Sequence, residues 1–304
     1  MNPAPSAGRT TPSLEQIGKL LDSLPTLPLV ALRLQELMNA RRSSVQQVAE
    51  LLSVDPSLSA KLLRLVNSAY FGIPGGVTDI ARAVPFVGFN TIYQLVLTVS
   101  VLETLNIPGV GTFDPRHLWL HSLAVGATAR VIGEEIGYAD PGSLFTAGLL
   151  HDMGKIAQAK LMPEGLIAVQ AAMARDGLTA TAAEAEVGVL GHDRIGTELA
   201  RRWRLPAALV VPIECHHTIR RPEVRERLTS NHRTATEVVA VADLIARDIV
   251  AGVDRTVGPA PEDGGAQVLL DTIGVSAAAR AQLYSKAAAQ LERSRPFLQV
   301  LDAK

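Results

Sequence analysis

Val54-Asp55-Pro56-Ser57-Leu58-Ser59-Ala60-Lys61-Leu62-Leu63-Arg64-Leu65-Val66-Asn67-Ser68-Ala69-Tyr70-Phe71-Gly72 is written as a capped helix. The Asp55 carboxylate suits an N-cap, where it accepts from an otherwise unsatisfied N–H, and Pro56 pre-sets the backbone of the first helical position. Leu58, Leu62, Leu65 and Val66 then recur at helical spacing towards Tyr70, and Gly72 is read as the stop. Upstream, Ser43 or Ser44 is placed to cap a helix through Val45, Val48, Leu51 and Leu52. The apolar run from Leu20 to Leu37 is interrupted at Leu24-Pro25-Thr26-Leu27-Pro28, whose prolines end one helix and begin the next. Downstream, Gly75-Gly76 marks a loop and Thr78 or Asp79 a cap. Val87 to Leu105 is apolar and partly β-branched, which fits strand or helix by pattern; its length favours a buried helix.

Gly109, Gly111, Pro108 and Pro115 cluster between Asn106 and Pro115, which makes this the expected boundary between residues 14–108 and 109–304. Beyond it, helices are expected over about 116–136, 142–159, 163–175, 180–202 and 206–217. Another opens at Asn231 or Thr234 and carries Asp243 towards Gly252. Residues 253–265 read as a loop, and 276–292 as a terminal Ala-rich helix. No fixed-period repeat and no alternation of strands with helices is present, so the fold class is all-α.

The chain has 304 residues, 47% of them hydrophobic, which exceeds the length at which one core normally stops growing. No run of about 18 uninterrupted apolar residues occurs, so no membrane span is expected. Residues 1–13 are Pro- and Ser-rich without the apolar stretch of a secretory signal; they are expected to be a disordered lead, and the protein to be cytoplasmic. The single cysteine, Cys215, excludes an intrachain disulfide framework and a thiolate zinc cluster. A formal charge of −1 gives no argument for sequence-specific nucleic-acid binding. Locally, Arg201, Arg202, Arg204, Arg220, Arg221, Arg225, Arg227 and Arg233 face only Glu214, Glu223 and Glu226. That region is either a solvated surface or a site for an anionic ligand such as a nucleotide.

The strongest chemical signal is Leu149-Leu150-His151-Asp152-Met153-Gly154-Lys155. Adjacent His and Asp cannot point the same way in regular helix, but at a bend beside a glycine they can converge on one ion, with Lys155 within reach of a bound anion. The chain has only seven histidines. His121 lies upstream of the pair; His192 and the doublet His216-His217 lie downstream. Asp243 sits in an apolar helix among Val238, Val239, Val241, Leu244 and Ile245, where a carboxylate needs a partner. That partner is either a cation or Arg247, four residues on. Nitrogen and oxygen donors without sulfur suit a divalent metal, one ion or two, with iron or manganese expected and zinc the alternative; no organic cofactor is implied. Each histidine taken singly also has a structural role open to it. His117 either reaches the pocket or occupies an exposed first turn. His232 reads as a solvent-exposed loop residue. Glu184 and Glu186 are candidate acceptors behind a ligating histidine, with the surface as their default.

With Trp119-Leu120-His121-Ser122, Ile195-Gly196, Trp203-Arg204-Leu205-Pro206 and Ile213-Glu214-Cys215-His216-His217 added to these motifs, the sequence resembles the HDOD family, the HD-related output domain proteins of bacterial signalling, over about residues 14–250. The resemblance implies an N-terminal helical subdomain packed on a C-terminal helical subdomain related to HD-type metal-dependent phosphohydrolases. It also implies an output module acting through a signalling protein partner. Many members of the family have lost metal ligands. Here His121, His151, Asp152, Lys155, His192, His216, His217 and Asp243 match the related HD-GYP phosphodiesterases in order. His117 stands where those enzymes place a glutamate, and Thr218-Ile219-Arg220-Arg221-Pro222 replaces the Gly-Tyr-Pro signature. The alternative to the output module is a metal-dependent phosphohydrolase or phosphodiesterase acting on a nucleotide or cyclic dinucleotide. In it Asp152 and Lys155 are the catalytic candidates: Asp152 bridges two ions, while Lys155 and an arginine of the 201–233 region bind phosphate. Association as a homodimer is left open.

Overall fold

The computed structural model describes residues 19, 21–24, 26–39, 44–250 and 265–301. The expected lead at 1–13, Pro25, Ser43 and the expected loop at 253–264 lie outside the described residues. The first helices are α1 (Leu29–Asn39), α2 (Val45–Ser53), α3 (Pro56–Val66), α4 (Ile80–Val87) and α5 (Phe89–Thr104). The middle of the chain forms α6 (Pro115–Glu135), α7 (Pro141–Leu150), α8 (Met153–Leu161), α9 (Pro163–Asp176), α10 (Ala180–Val187) and α11 (His192–Arg202). α12 (Ala207–Cys215), α13 (Pro222–Arg227), α14 (Ser230–Ile249), α15 (Gly265–Thr272), α16 (Ala277–Ser294) and a 3₁₀ turn, Arg295–Val300, complete it. No strand occurs among the described residues, so the protein is all-α.

Local chemistry sets most of the boundaries. Asp55 caps α3 by accepting from the Leu58 N–H at 2.9 Å, with Pro56 in the first turn. The helix stops at Val66, short of the expected Gly72, because the next side chain is committed elsewhere. Asn67 accepts from the Val77 N–H at 2.7 Å and donates to the Val77 carbonyl at 2.8 Å, folding the Gly75-Gly76 loop back on itself. Ser44 and Gln47 form a reciprocal capping box on α2, and Asp79 caps α4. Gly88, at φ 84°, separates α4 from α5, which lie 115° apart. Val87 therefore belongs to the short helix before the bend, and the ambiguous apolar run is the buried helix α5. No single described helix is long and apolar enough to cross a membrane, although the bent pair α4–α5 passes that test jointly.

The main buried apolar core runs from Leu21 to Val300, with α6 at its centre, packed against α7, α14 and α16, and a smaller cluster of Val169, Ala172 and Ala183 lies between α9 and α10. The approach of α6 to α7 is close enough to require glycine: a Cβ on Gly148 would lie 2.9 Å from the Gly126 Cα. The rings of Tyr70, Phe145 and Phe297 pack tilted or edge-on with centroids 5.0–5.2 Å apart, tying the N-terminal helices to α7 and to the 3₁₀ turn.

Three expectations are corrected. The helix expected over 142–159 is broken between Leu150 and Met153, so His151 and Asp152 lie in the break. The one expected over 180–202 is broken by Gly188, in the left-handed region at φ 76°, and resumes at His192. α14 is capped by Thr229, which accepts from the His232 N–H, rather than by Asn231 or Thr234. His232 is accordingly a partly buried residue in a helical first turn, not a loop residue.

Candidate metal centre

The seven candidate ligands, scattered from α6 to α14, converge on one place. Donor atoms of Asp152, His192, His216 and His217 lie within 4.8 Å of one another, and so do those of His121, His151 and Asp243. Asp152 stands at the junction: Oδ1 is 3.1 Å from His192 Nε2 and 3.7 Å from His216 Nε2, while Oδ2 is 3.3 Å from His151 Nε2 and 2.6 Å from Lys155 Nζ. Across the pocket, Asp243 Oδ1 is 3.0 Å from His121 Nε2 and 3.9 Å from His151 Nε2. Its Oδ2 accepts from Arg247 Nη2 at 2.8 Å, so Asp243 both faces the cluster and pairs with Arg247.

Two backbone contacts create this convergence. The Gly126–Gly148 approach sets His121 beside His151, with ring centroids 5.7 Å apart. At the other side a Cβ on Gly154 would lie 1.9 Å from the His192 carbonyl oxygen, so only glycine lets the start of α8 touch the start of α11. That contact brings Asp152 to His192.

The imidazoles are held from behind. His151 Nδ1 donates to the Gly148 carbonyl at 2.7 Å and His216 Nδ1 to the Pro212 carbonyl at 2.9 Å, which turns both Nε2 atoms into the pocket. His192 Nδ1 donates to Glu184 Oε1 at 2.7 Å, and Gln158 Nε2 donates to the same oxygen at 2.8 Å. Glu184 is buried, against its expected surface placement, whereas Glu186 pairs with Arg175 on the surface. No periodicity in the sequence singles out Glu184 or Gln158; only the fold places them behind His192.

Charge in the pocket is balanced at close range. Burial raises the Asp152 carboxyl, but His151, Lys155 and His192 outweigh it and hold Asp152 well below the usual carboxylate range. Asp243 is likewise held low, against burial, by Arg247, His121 and His151. Burial opposes protonation of His192, yet Glu184 and Asp152 raise it to about 10. Burial pushes His216 down, and burial with the neighbouring His216 and His192 pushes His217 well down. His192 Nε2 lies 2.9 Å from His217 Nε2 and 3.1 Å from Asp152 Oδ1.

Whether these residues fit a metal is answered by what remains unsatisfied. His151 Nε2, His216 Nε2 and Asp152 Oδ1 are buried without a hydrogen-bond partner among the described residues, and all three face the space between the clusters. Buried acceptors left unpaired are costly, and a cation satisfies several at once. The donor set is all nitrogen and oxygen. The two clusters are thus able to hold a metal.

Other candidates lie apart. His117 sits in neither cluster; its Nε2 is 3.8 Å from Asp114 in the first turn of α6. The arginines of 201–233 are mostly engaged elsewhere: Arg201 with Glu198 and Glu214, Arg202 with Asp22, Arg225 with Glu237, and Arg233 with the Arg225 and Leu228 carbonyls. Arg220 alone of that group lines the cavity beside the clusters, of about 190 Å³, where it is joined by Lys155 and by Arg247, which sequence reading had set only against Asp243.

An all-helical body enclosing a paired histidine–aspartate pocket defines the class of HD-related proteins, and comparison with known proteins narrows it. The HDOD domain profile matches residues 24–219, and the chain belongs to the HDOD family. A "Putative phosphohydrolase" from Shewanella amazonensis SB2B is 27% identical, with a TM-score of 0.71 over 94% of this chain and 97% of that one. An HDOD domain protein of unknown function from Geobacter sulfurreducens is 25% identical, with a TM-score of 0.69 over 92% of this chain and 99% of that one. A curated relative, an uncharacterized protein of Treponema pallidum (strain Nichols), is 29% identical over 241 residues. That match takes in 77% of this chain and 46% of the relative, so the chain spans about half of the relative's length.

Proposed function

We propose that this chain is a signal-transduction output module of the HDOD family whose pocket binds divalent metal, iron or manganese before zinc, and which acts through a signalling protein partner in the cytoplasm. The observation that carries the metal is the set of buried, unpaired acceptors His151 Nε2, His216 Nε2 and Asp152 Oδ1 facing one space. His121, His151 and Asp243 would hold one ion, and His192, His216 and His217 a second, with Asp152 shared. Metal content of the full chain, purified without a chelator or a metal affinity column, tests this directly. Two equivalents per chain are expected. No metal, even after reconstitution with iron(II) or manganese(II), overturns the proposal.

A second reading, metal-dependent phosphohydrolysis, is favoured by one specific observation: the Asp152 carboxylate lies between the two clusters, with Lys155 on Oδ2 and a cationic cavity alongside. Metal bound there would supply Lewis-acid polarisation of a phosphoryl group. The chain's own part is to fix the imidazoles through Gly148, Pro212 and Glu184, and to set Lys155 and Arg220 where phosphate oxygens collect charge. In the reaction a water oxygen bonds to phosphorus, the ester P–O bond breaks, and the leaving oxygen takes a proton. Release of inorganic phosphate from a phosphate ester by the metal-loaded chain, lost in Asp152→Ala, is the expected result; no release from any ester tested leaves the output module alone.

A further inference from the structure

A second cavity, of about 330 Å³, opens where the N-terminal helices meet α6 and α7, and no residue of the two metal clusters lines it. Five aromatic rings do: Tyr70 and Phe71 after α3, Phe86 of α4, Phe145 of α7 and Phe297 of the 3₁₀ turn. Tyr70 and Phe71 meet edge to face at 4.7 Å, and Phe86, near the C-terminal end of α4, is 66% exposed. Polar groups from α5, α6 and α7 complete the walls. Arg130 lies over the Tyr70 ring, its guanidinium carbon 4.5 Å from the centroid, and its Nε donates to Glu134 Oε1 at 2.9 Å. The charges of that pair cancel, and Tyr70, pushed up to about 12 by burial, stays neutral. One lining charge is left, on Asp140. No cation among the described residues pairs with it: Oδ1 accepts from the Ser143 N–H at 3.2 Å, at the start of α7, and Oδ2 from Gln94 Nε2 of α5 at 3.0 Å.

We propose that this junctional cavity is a second ligand site, separate from the metal centre, and that it takes a small organic cation: an amine carried on an aromatic or apolar body. Ring faces attract a cation through their quadrupole, and Arg130 over Tyr70 shows one of these rings doing so. An ionised carboxylate has about four lone-pair positions; Ser143 and Gln94 fill two on Asp140, which leaves positions for an ammonium N–H. The positive end of α7 offsets about half a charge, so the walls stay negative once every pair is counted. An organic anion would instead meet Asp140 and Glu134, with only the already paired Arg130 to receive it. Gln94 is kept on Asp140 by the bare backbone of Gly142, where a Cβ would lie 2.9 Å from Gln94 Oε1. A lone exposed ring needs no explanation, but Phe86 stands with four others beside a carboxylate that has no cation. Pockets for organic ligands commonly occupy about 300–1,000 Å³ and favour the seams between domains, as here. α6 also carries His121, and α7 ends against His151 and Asp152, so a ligand at this seam rests on the two helices that frame the metal centre.

The test titrates the full chain calorimetrically near neutral pH with tryptamine, with its neutral analogue tryptophol and with the carboxylate indole-3-propionate. Tryptamine is expected to bind about tenfold more tightly than either, the worth of one charged hydrogen bond. Asp140→Asn removes the charge while keeping a side chain that caps α7 equally well. It should weaken tryptamine about tenfold and leave tryptophol unchanged, with the Tm and the metal content of the wild type. Phe86→Ala, a change at an exposed position, should weaken all three ligands. Equal or tighter binding of indole-3-propionate overturns the proposal, and so does a chain that binds no tryptamine. A tryptamine affinity that Asp140→Asn leaves untouched overturns it too, because the amine then binds elsewhere. Each of these outcomes leaves the metal pocket standing.

Discussion

The two halves of the pocket are built differently. In one cluster two of the three residues, His121 and Asp243, sit in the middle of long buried helices, α6 and α14, where helix packing fixes them, and only His151 lies in a helix break. Asp152, His192, His216 and His217 all lie at helix ends: in the α7–α8 break, at the first residue of α11, and just past α12. A mid-helix donor inherits its position from a core. A donor at a helix end depends on side-chain and carbonyl anchors, here Glu184 and the Pro212 carbonyl, and on glycine contacts. The end-built cluster should therefore be the more easily broken half.

The largest effect is expected at the junction. Asp152→Ala removes the carboxylate shared by both clusters and leaves Lys155 buried without its partner, a loss of about 3–5 kcal/mol. Urea unfolding of chelator-treated protein and metal analysis check the two parts, with bound metal expected to vanish. Gly154→Ala follows, because the new Cβ meets the His192 carbonyl and must part α8 from α11. Overpacking of this kind costs about 3 kcal/mol at the upper end of its usual range, and thermal unfolding should show it. Metal loss in this variant should fall first on the Asp152–His192–His216–His217 side.

The pH dependence of the metal-free protein probes the same side. His192 has its pKa raised to about 10 in the folded state. Its contribution to stability is therefore fully present below the ordinary histidine value and is lost as pH rises towards 10. Chemical denaturation between pH 6 and 10 should show that decline, and His192→Asn should flatten it. A flat wild-type profile would remove the charged His192 from the account. Glu184→Gln keeps the volume but weakens the hold on His192, and should lower affinity at one site about 10–100-fold, giving a biphasic metal titration. A uniform loss at both sites would mean that the clusters are not separable. Smallest is Ser44→Ala, which removes a capping box far from the pocket at about 1 kcal/mol and should leave metal content untouched.

Much of this was readable in advance, for local reasons. Asp55, Asp79 and Ser44 announce helix starts because a short polar side chain satisfies an orphan N–H two or three residues on. The seven clustered residues stood out as candidate ligands because histidine and aspartate are conspicuous within apolar runs, and because HDOD-type motifs surround them. The breaks at His151–Asp152 and at Gly188 were hidden inside runs that keep helical periodicity on both sides. Glu184 was named as a candidate acceptor, but its burial was hidden because an acidic residue in a polar helix looks like surface. Its burial follows from α10 returning against α8 and α11, which no spacing along the chain reveals.

By itself, then, the sequence determined the all-helical class and most helix starts, since capping and periodicity act over a few residues, and it offered a sulfur-free set of candidate ligands. The division of the donors into two clusters joined by Asp152, the support behind His192 and the ring-lined cavity where the N-terminal helices meet α6 and α7 were decided only by tertiary structure. They depend on the backbones of α6 and α7, and of α8 and α11, meeting where a glycine leaves room, and on groups far apart in the chain neutralising one another inside a core.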